Sequence, residues 1–125
     1  MPGVAPVPAS SPAEVVERFM RMVAAKDYMG MGRLFGNAEG PVANREPQQR
    51  VERWMYAIGE VLTHDRFTIS GVGQSIPGRG PEVAQLTVRL TRGGTTRDVP
   101  FVVVRASAGG YLVEQVDLQA VTRAP

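Results

Sequence analysis

The chain has no cysteine, one histidine and one lysine among its 125 residues. The lack of cysteine excludes disulfides, thiol nucleophiles and thiolate metal ligands. A single histidine cannot supply the usual zinc ligand sets, so we expect no metal and no cofactor. No apolar run approaches the ~20 residues that a membrane-spanning helix needs, and we therefore expect no membrane span.

The chain also has only a small excess of positive charge, since its net charge is +2. The basic residues are nearly all arginine, and they are interleaved with twelve acidic residues along the chain. A surface that follows a phosphate backbone needs basic side chains clustered on one face. The sequence therefore predicts no nucleic-acid partner.

The length is sufficient for one domain that buries its own core. Residues 1–10 carry three prolines and neither a basic n-region nor a continuous apolar run. This predicts a flexible leader rather than a signal peptide. Residues 11–120 are predicted as a single α+β domain and residues 121–125 as a tail. The compartment stays open between the cytoplasm and, if a signal segment was removed, the cell envelope.

Two helices are predicted in the first third of the chain. The first begins with Ser11 at the N-cap, Pro12 at the first helical position and Glu14 three residues after the cap, and it ends near Lys26. Asp27 can cap a short second helix, which contains two glycines.

The third predicted helix has the clearest amphipathic pattern. Pro47 suits its first turn and residues 63–65 end it, while residues 36–46 are predicted as a loop. Its apolar residues recur at spacings of three and four: Val51, Trp54, Met55, Ile58, Val61 and Leu62.

The rest of the chain predicts strands, with an antiparallel meander at the end. A first strand around Phe67 is followed by alternating segments joined at Gly93-Gly94 and at residues 107–110. The turn register pairs Val88 with Val99, Leu86 with Phe101, Ala84 with Val103, and Arg89 with Asp98 on the other face. We expect an α+β fold in which three helices pack on the concave face of a curved antiparallel sheet.

Strand alternation assigns side chains to the two faces of this sheet. Leu112, Glu114, Val116 and Leu118 are expected on the face covered by the helices. The opposite face would carry Arg89 and a cluster of valines: Val83, Val102, Val104 and Val113. Because soluble proteins rarely expose such a patch, we predict that this face forms an interface, either in a homodimer or with a different protein.

The order of these elements resembles the nuclear-transport-factor-2-like superfamily, a cystatin-like cone shared with ketosteroid isomerase and scytalone dehydratase. The similar segments are residues 14–19, 25–28, 34–36 and 109–113, within a resemblance covering about residues 10–120. Within this superfamily, the chain most resembles bacterial members of unknown function. The resemblance implies a pocket between helices and sheet and frequent dimerisation through the sheet. It implies no reaction, because no catalytic set of its enzymes maps onto this chain.

Four residues could take part in acid–base chemistry. An inward-facing Glu114 would be a general base or a ligand anchor. It would instead have a structural role if it lies near the open rim, or if a bulge after Gly110 turns it into solvent or into an ion pair with Arg97 or Arg105. His64 and Asp65 could act as a pair, although a histidine near a helix C-terminus is also favoured by the helix dipole. Tyr28 is a candidate hydrogen-bond donor.

An apolar cavity is the second kind of candidate site. Trp54, Met55 and Ile58 should face Leu86, Phe101 and Val116 across the core. Any void should lie near Glu114 and Tyr28. We expect a non-catalytic domain with this apolar cavity, which either binds a small ligand or interacts with another protein. The alternative is an isomerase-, dehydratase- or hydrolase-like enzyme that uses a pocket carboxylate as its base.

Overall fold

The computed structural model describes residues 9–122, without the side chains of residues 71–73 and 122. Most of the predicted leader and tail therefore lies outside the described residues. The elements in chain order are α1 (Pro12–Ala25), α2 (Tyr28–Leu34), β1 (Gly36–Asn37), β2 (Gly40–Pro41), a 3-10 turn (Val42–Asn44), α3 (Gln48–Val61), β3 (Arg66–Ser75), β4 (Val83–Arg92), β5 (Thr95–Arg105), β6 (Tyr111–Val116) and α4 (Gln119–Thr122). The α+β class is confirmed. None of the helices in this part of the chain has the length and apolar character needed to cross a bilayer.

The first two helices begin at the predicted caps. Ser11 Oγ accepts a hydrogen bond from the Glu14 N–H at 3.2 Å, and Pro12 occupies the first helical position. α1 ends at Lys26, whose φ of 57° places it in the left-handed region. Asp27 Oδ1 then accepts from the Gly30 N–H at 2.9 Å and caps α2. These local polar contacts define where the first helix ends and the second begins.

The main sheet has four antiparallel strands in the order β3-β4-β5-β6. Gly93 and Gly94 adopt φ values of 58° and 82°, so the β4–β5 turn requires positive φ at both central residues. The predicted register is confirmed, with Leu86 opposite Phe101 and Arg89 opposite Asp98. The turn and the apolar alternation select the same pairing.

Of the three predicted helices, α1 covers most of the sheet. Phe19 of α1 meets Phe101 of β5 edge to face, with ring centroids 6.1 Å apart. α3 packs mainly on α2. The prediction that Trp54 lies in the core is wrong, since it is 43% exposed and its ring lies 5.5 Å from that of Phe35. The reason is that α1 already occupies the sheet face that Trp54 was expected to cover.

A β-bulge in β6 changes which face its residues occupy. Val102 lies opposite Gln115 but Val103 lies opposite Val113, so Glu114 is the extra residue. Val113 is therefore fully buried in the main core, and its predicted position on the outer face is wrong. Leu112, which was expected on the covered face, instead pairs with Val104.

The outer face carries a second apolar cluster that the chain itself covers. This outer cluster consists of four buried residues: Val83, Val104, Ala106 and Leu112. Ile76 of the β3–β4 connection and Val102 pack against it. The expectation of an exposed valine patch is thus wrong at Val83 and Val104, which are 7% and 3% exposed. Dimerisation through the sheet face stays a prediction, but an exposed valine patch no longer supports it.

A small hairpin, β1–β2, lies in the segment predicted as a loop. Phe35 forms a parallel bridge with Val113, and the Val42 N–H donates to the Phe35 carbonyl at 2.8 Å. The Ser107 N–H donates to the Ala38 carbonyl at 2.8 Å. These contacts fasten the hairpin beside β6 and the β5–β6 turn.

Candidate functional site

A cleft of about 520 Å³ lies between the first two helices, the β1–β2 hairpin and the β5–β6 turn. Its volume is within the range of roughly 300–1,000 Å³ that is typical of small-molecule sites. Ala9, which is buried at the start of the described chain, also lines it. The cleft therefore has the size of a ligand site.

The helices supply one wall of the cleft. α1 contributes Arg18 and Met22, which lie four residues apart on the same face of the helix. α2 contributes Gly30 with Arg33 and Leu34 from its last turn. A side chain at Gly30 would overlap Asp27 and Met22, so glycine allows α2 to approach α1 closely.

The β5–β6 turn supplies the opposite wall. Gly109 and Gly110 have φ values of 103° and 80°, and Ala106 both donates to the Gly110 carbonyl and accepts from the Gly109 N–H, each at 2.9 Å. This tight turn brings Tyr111 and Leu112 to the cleft. The hairpin adds Gly40 and Pro41, and the 3-10 turn that follows adds Asn44.

The charged side chains that line the cleft are arginines. Arg18 is ion-paired with Glu14. The Ser10 hydroxyl donates to the Glu14 carboxylate at 2.6 Å, and this hydrogen bond is the main reason that the pKa of Glu14 is lowered. Arg33 is exposed, and its side chain has no hydrogen bond or ion pair with the described residues. No aspartate or glutamate lines the cleft as the described residues form it, so its wall carries positive charge.

The predicted acid–base residues lie elsewhere, and each has a structural partner. Glu114 accepts a hydrogen bond from Arg79 at 3.0 Å, as its alternative interpretation required, although the partner is neither Arg97 nor Arg105. His64 Nδ1 lies 2.9 Å from the Leu62 carbonyl oxygen.

Asp65 is held at the β4–β5 turn, where its carboxylate accepts the Gly93 N–H at 2.9 Å. Glu114 lies beside Val102, seven residues along β5 from Thr95 at that turn. At ~3.3 Å per residue this separation exceeds roughly 20 Å. The structure therefore does not bring Glu114 together with the His64–Asp65 pair.

The residues predicted to line an apolar cavity do not line this cleft. Met55, Ile58 and Phe101 are buried in the main core, and Val116 packs against it. The Tyr28 ring instead meets Tyr56 edge to face at 5.4 Å.

Sequence reasoning missed the cleft because the surfaces that face its helical wall come from a hairpin and a turn, which the sequence analysis interprets as connections. The signals that could have indicated it are local. Arg33 and Leu34 follow two glycines of a short helix, and Tyr111 follows a Gly-Gly turn. Neither pattern is specific without knowledge of which elements meet.

Comparison with protein-family models, curated proteins and solved structures finds no match for this chain. Within residues 9–122, no group of three or more histidine, aspartate or glutamate side chains is placed to hold a metal ion. The function is therefore inferred from the cleft itself.

Proposed function

We propose that this chain is a non-catalytic binding domain whose cleft takes a small, largely apolar ligand. The observation that carries the proposal is the cleft of about 520 Å³. Apart from its two arginines, its lining consists mostly of apolar side chains and glycine backbone. Met22, Leu34 and Leu112 supply apolar surface from three different elements. Burial of an apolar ligand there would contribute a favourable free energy of about 25 cal/mol per Å² of apolar surface removed from water.

The lining of the cleft favours binding over catalysis. General acid–base chemistry needs a titratable base and a donor that converge on one reacting group. The polar side chains that line the cleft are those of Asn44, Tyr111 and the two arginines, and none of the lining residues carries a carboxylate or an imidazole. The enzyme alternative needs a base at Glu114 or His64. Both side chains lie outside the cleft, where Glu114 contacts Arg79 and His64 contacts the Leu62 carbonyl.

The proposal includes membership in the nuclear-transport-factor-2-like superfamily, with its three-helix cone. It is supported by the element order and by the packing of α1 across the four-stranded antiparallel sheet. The position of α3 on α2 departs from the expected direct cover of the sheet. In this member of the superfamily, the ligand would bind in the cleft at the β5–β6 turn.

A neutral apolar fluorophore, N-phenyl-1-naphthylamine, tests the proposal. Titration of the full chain should give saturable fluorescence enhancement. Ala108→Trp places a large side chain at an exposed position in the lining and should weaken binding at least tenfold, which corresponds to ~1.4 kcal/mol. Ala24→Trp, at an exposed position of α1 outside the lining, is the matched control. Absence of saturable binding, or equal binding by Ala108→Trp, would overturn the proposal.

A further inference from the structure

We infer that the ligand is a single-chain amphiphile with an anionic head group, either a carboxylate or a phosphate, and that Arg33 binds this head. The inference rests on the proposed function of the cleft. It adds the charge and the orientation of the ligand, with the apolar tail directed along Met22 and Leu112.

The sign of the charge follows from the lining. Two guanidinium groups, those of Arg18 and Arg33, face a cleft whose lining residues include no carboxylate. Arg18 is engaged by Glu14, which offsets part of its charge. The positive charge of Arg33 has no such partner among the described residues. An apolar cation would therefore be repelled here and an apolar anion attracted.

The position of Arg33 suits a head group at the edge of the cleft. Arg33 is exposed in the last turn of α2, while the neighbouring Leu34 is half-buried against the main core. A bound head group would thus stay hydrated, and only the tail would be desolvated. A guanidinium offers planar, bidentate donors that match the oxygens of carboxylate and phosphate groups.

The apolar part of the lining suits a flexible tail. Met22 is half-buried, and its thioether chain can adjust to an alkyl chain better than a β-branched side chain can. Leu112 belongs to the outer cluster, so the floor beneath the tail is continuous with packed apolar side chains. The tail would extend from the α2 edge toward the β5–β6 turn.

Displacement of N-phenyl-1-naphthylamine by dodecanoate, dodecyl phosphate and dodecanol tests the inference, with all ligands below their aggregation limits. The wild-type chain should bind at least one anion roughly tenfold more tightly than dodecanol, as expected for hydrogen bonds to a charged group. The stronger anion identifies the head group. The preference should shrink as salt rises, because Arg33 is exposed.

Arg33→Gln should remove the preference for the anion, so that the anions and dodecanol bind the variant with similar affinities. Arg53→Gln, at an exposed arginine of α3 outside the lining, should change neither. Equal affinities for dodecanol and both anions, or a preference that survives in Arg33→Gln, would overturn the inference while the proposed function stands. Failure of all three ligands and of the neutral fluorophore to bind would overturn both.

Discussion

The Arg79 guanidinium donates hydrogen bonds to both carboxylate oxygens of Glu114, at 3.0 and 3.3 Å. Arg79 belongs to the β3–β4 connection and Glu114 is the bulge residue of β6. Ile76 of the same connection packs on the outer cluster. The ion pair therefore ties the connection to β6 at the sheet face where this cluster is buried.

Burial of the outer cluster predicts a large loss of stability in Val104→Lys. Val104 is 3% exposed, and an ammonium group there would be desolvated without a partner. We expect the free energy of unfolding to fall by at least about 2 kcal/mol, measured by urea denaturation. Val102→Lys, at a half-buried position of the same strand, should cost clearly less. Equal stability of wild type and Val104→Lys would show that this face is open.

The pairing of Arg89 with Asp98 predicts a lowered carboxyl pKa. The Arg89 Nε–H donates to Asp98 Oδ1 at 2.8 Å, and this hydrogen bond is the main reason that the pKa of Asp98 lies below its usual value. Arg89→Gln should raise that pKa, as followed by NMR titration of the carboxyl carbon. Arg92→Gln, on the other face of β4, is the control and should leave the pKa in place.

The sign of the pH dependence follows from this shift. Because the folded state holds Asp98 more acidic than the unfolded chain does, the pair stabilises the fold above the unfolded pKa of about 3.9. That contribution is lost as pH falls through the lower, folded pKa. The stability difference between wild type and Arg89→Gln should therefore shrink in strong acid. A difference that grows below this range would contradict the assignment.

The meander could be predicted from the sequence because two independent signals agree there. The positive φ of Gly93 and Gly94 fixes the turn, and the alternation that follows would place every apolar residue on the wrong face if the register slipped by one. β6 lacks this redundancy. One extra residue at Glu114 reverses the faces of Val113 and Leu112, and a bulge has no distinct composition.

Less of the site than of the fold could be predicted, because periodicity indicates which face of an element is apolar but not which element covers it. Trp54 fits the apolar stripe of α3, yet that helix packs mainly on α2 and Trp54 remains 43% exposed. The cleft depends on long-range contacts such as the Ser107 N–H to the Ala38 carbonyl. No local pattern in the sequence encodes that pairing.

The contact between Phe19 and Phe101 predicts that Phe101→Ala destabilises the fold strongly. Phe101 is fully buried, so truncation removes apolar contacts and leaves a cavity under α1. We expect a loss of about 3–5 kcal/mol in the free energy of unfolding by urea denaturation, with an unchanged m-value. Trp54→Ala is the matched aromatic truncation and should cost less because Trp54 is partly exposed. A larger loss of stability in Trp54→Ala than in Phe101→Ala would contradict the prediction and would indicate that the core is centred on α3.

Gly36→Ala should disturb the cleft through the backbone of the β1–β2 hairpin. A Cβ at Gly36 would overlap the carbonyl oxygen of Gly40, and backbone cannot move aside as a flexible side chain can. Since Gly40 and Pro41 line the cleft, their displacement should weaken binding of the neutral fluorophore several-fold. Unfolding should become easier by roughly 1–3 kcal/mol, as for other overpacked sites.

Gly80→Ala is the control for this prediction, because the new methyl group would meet only the flexible end of Glu82 outside the lining. It should leave fluorophore binding unchanged. If Gly36→Ala binds the fluorophore as tightly as Gly80→Ala although its stability is reduced, the hairpin supports the fold without shaping the site. The ligand would then have to contact the helices and the β5–β6 turn alone, and the wall formed by Gly40 and Pro41 would have to be removed from the proposed cleft.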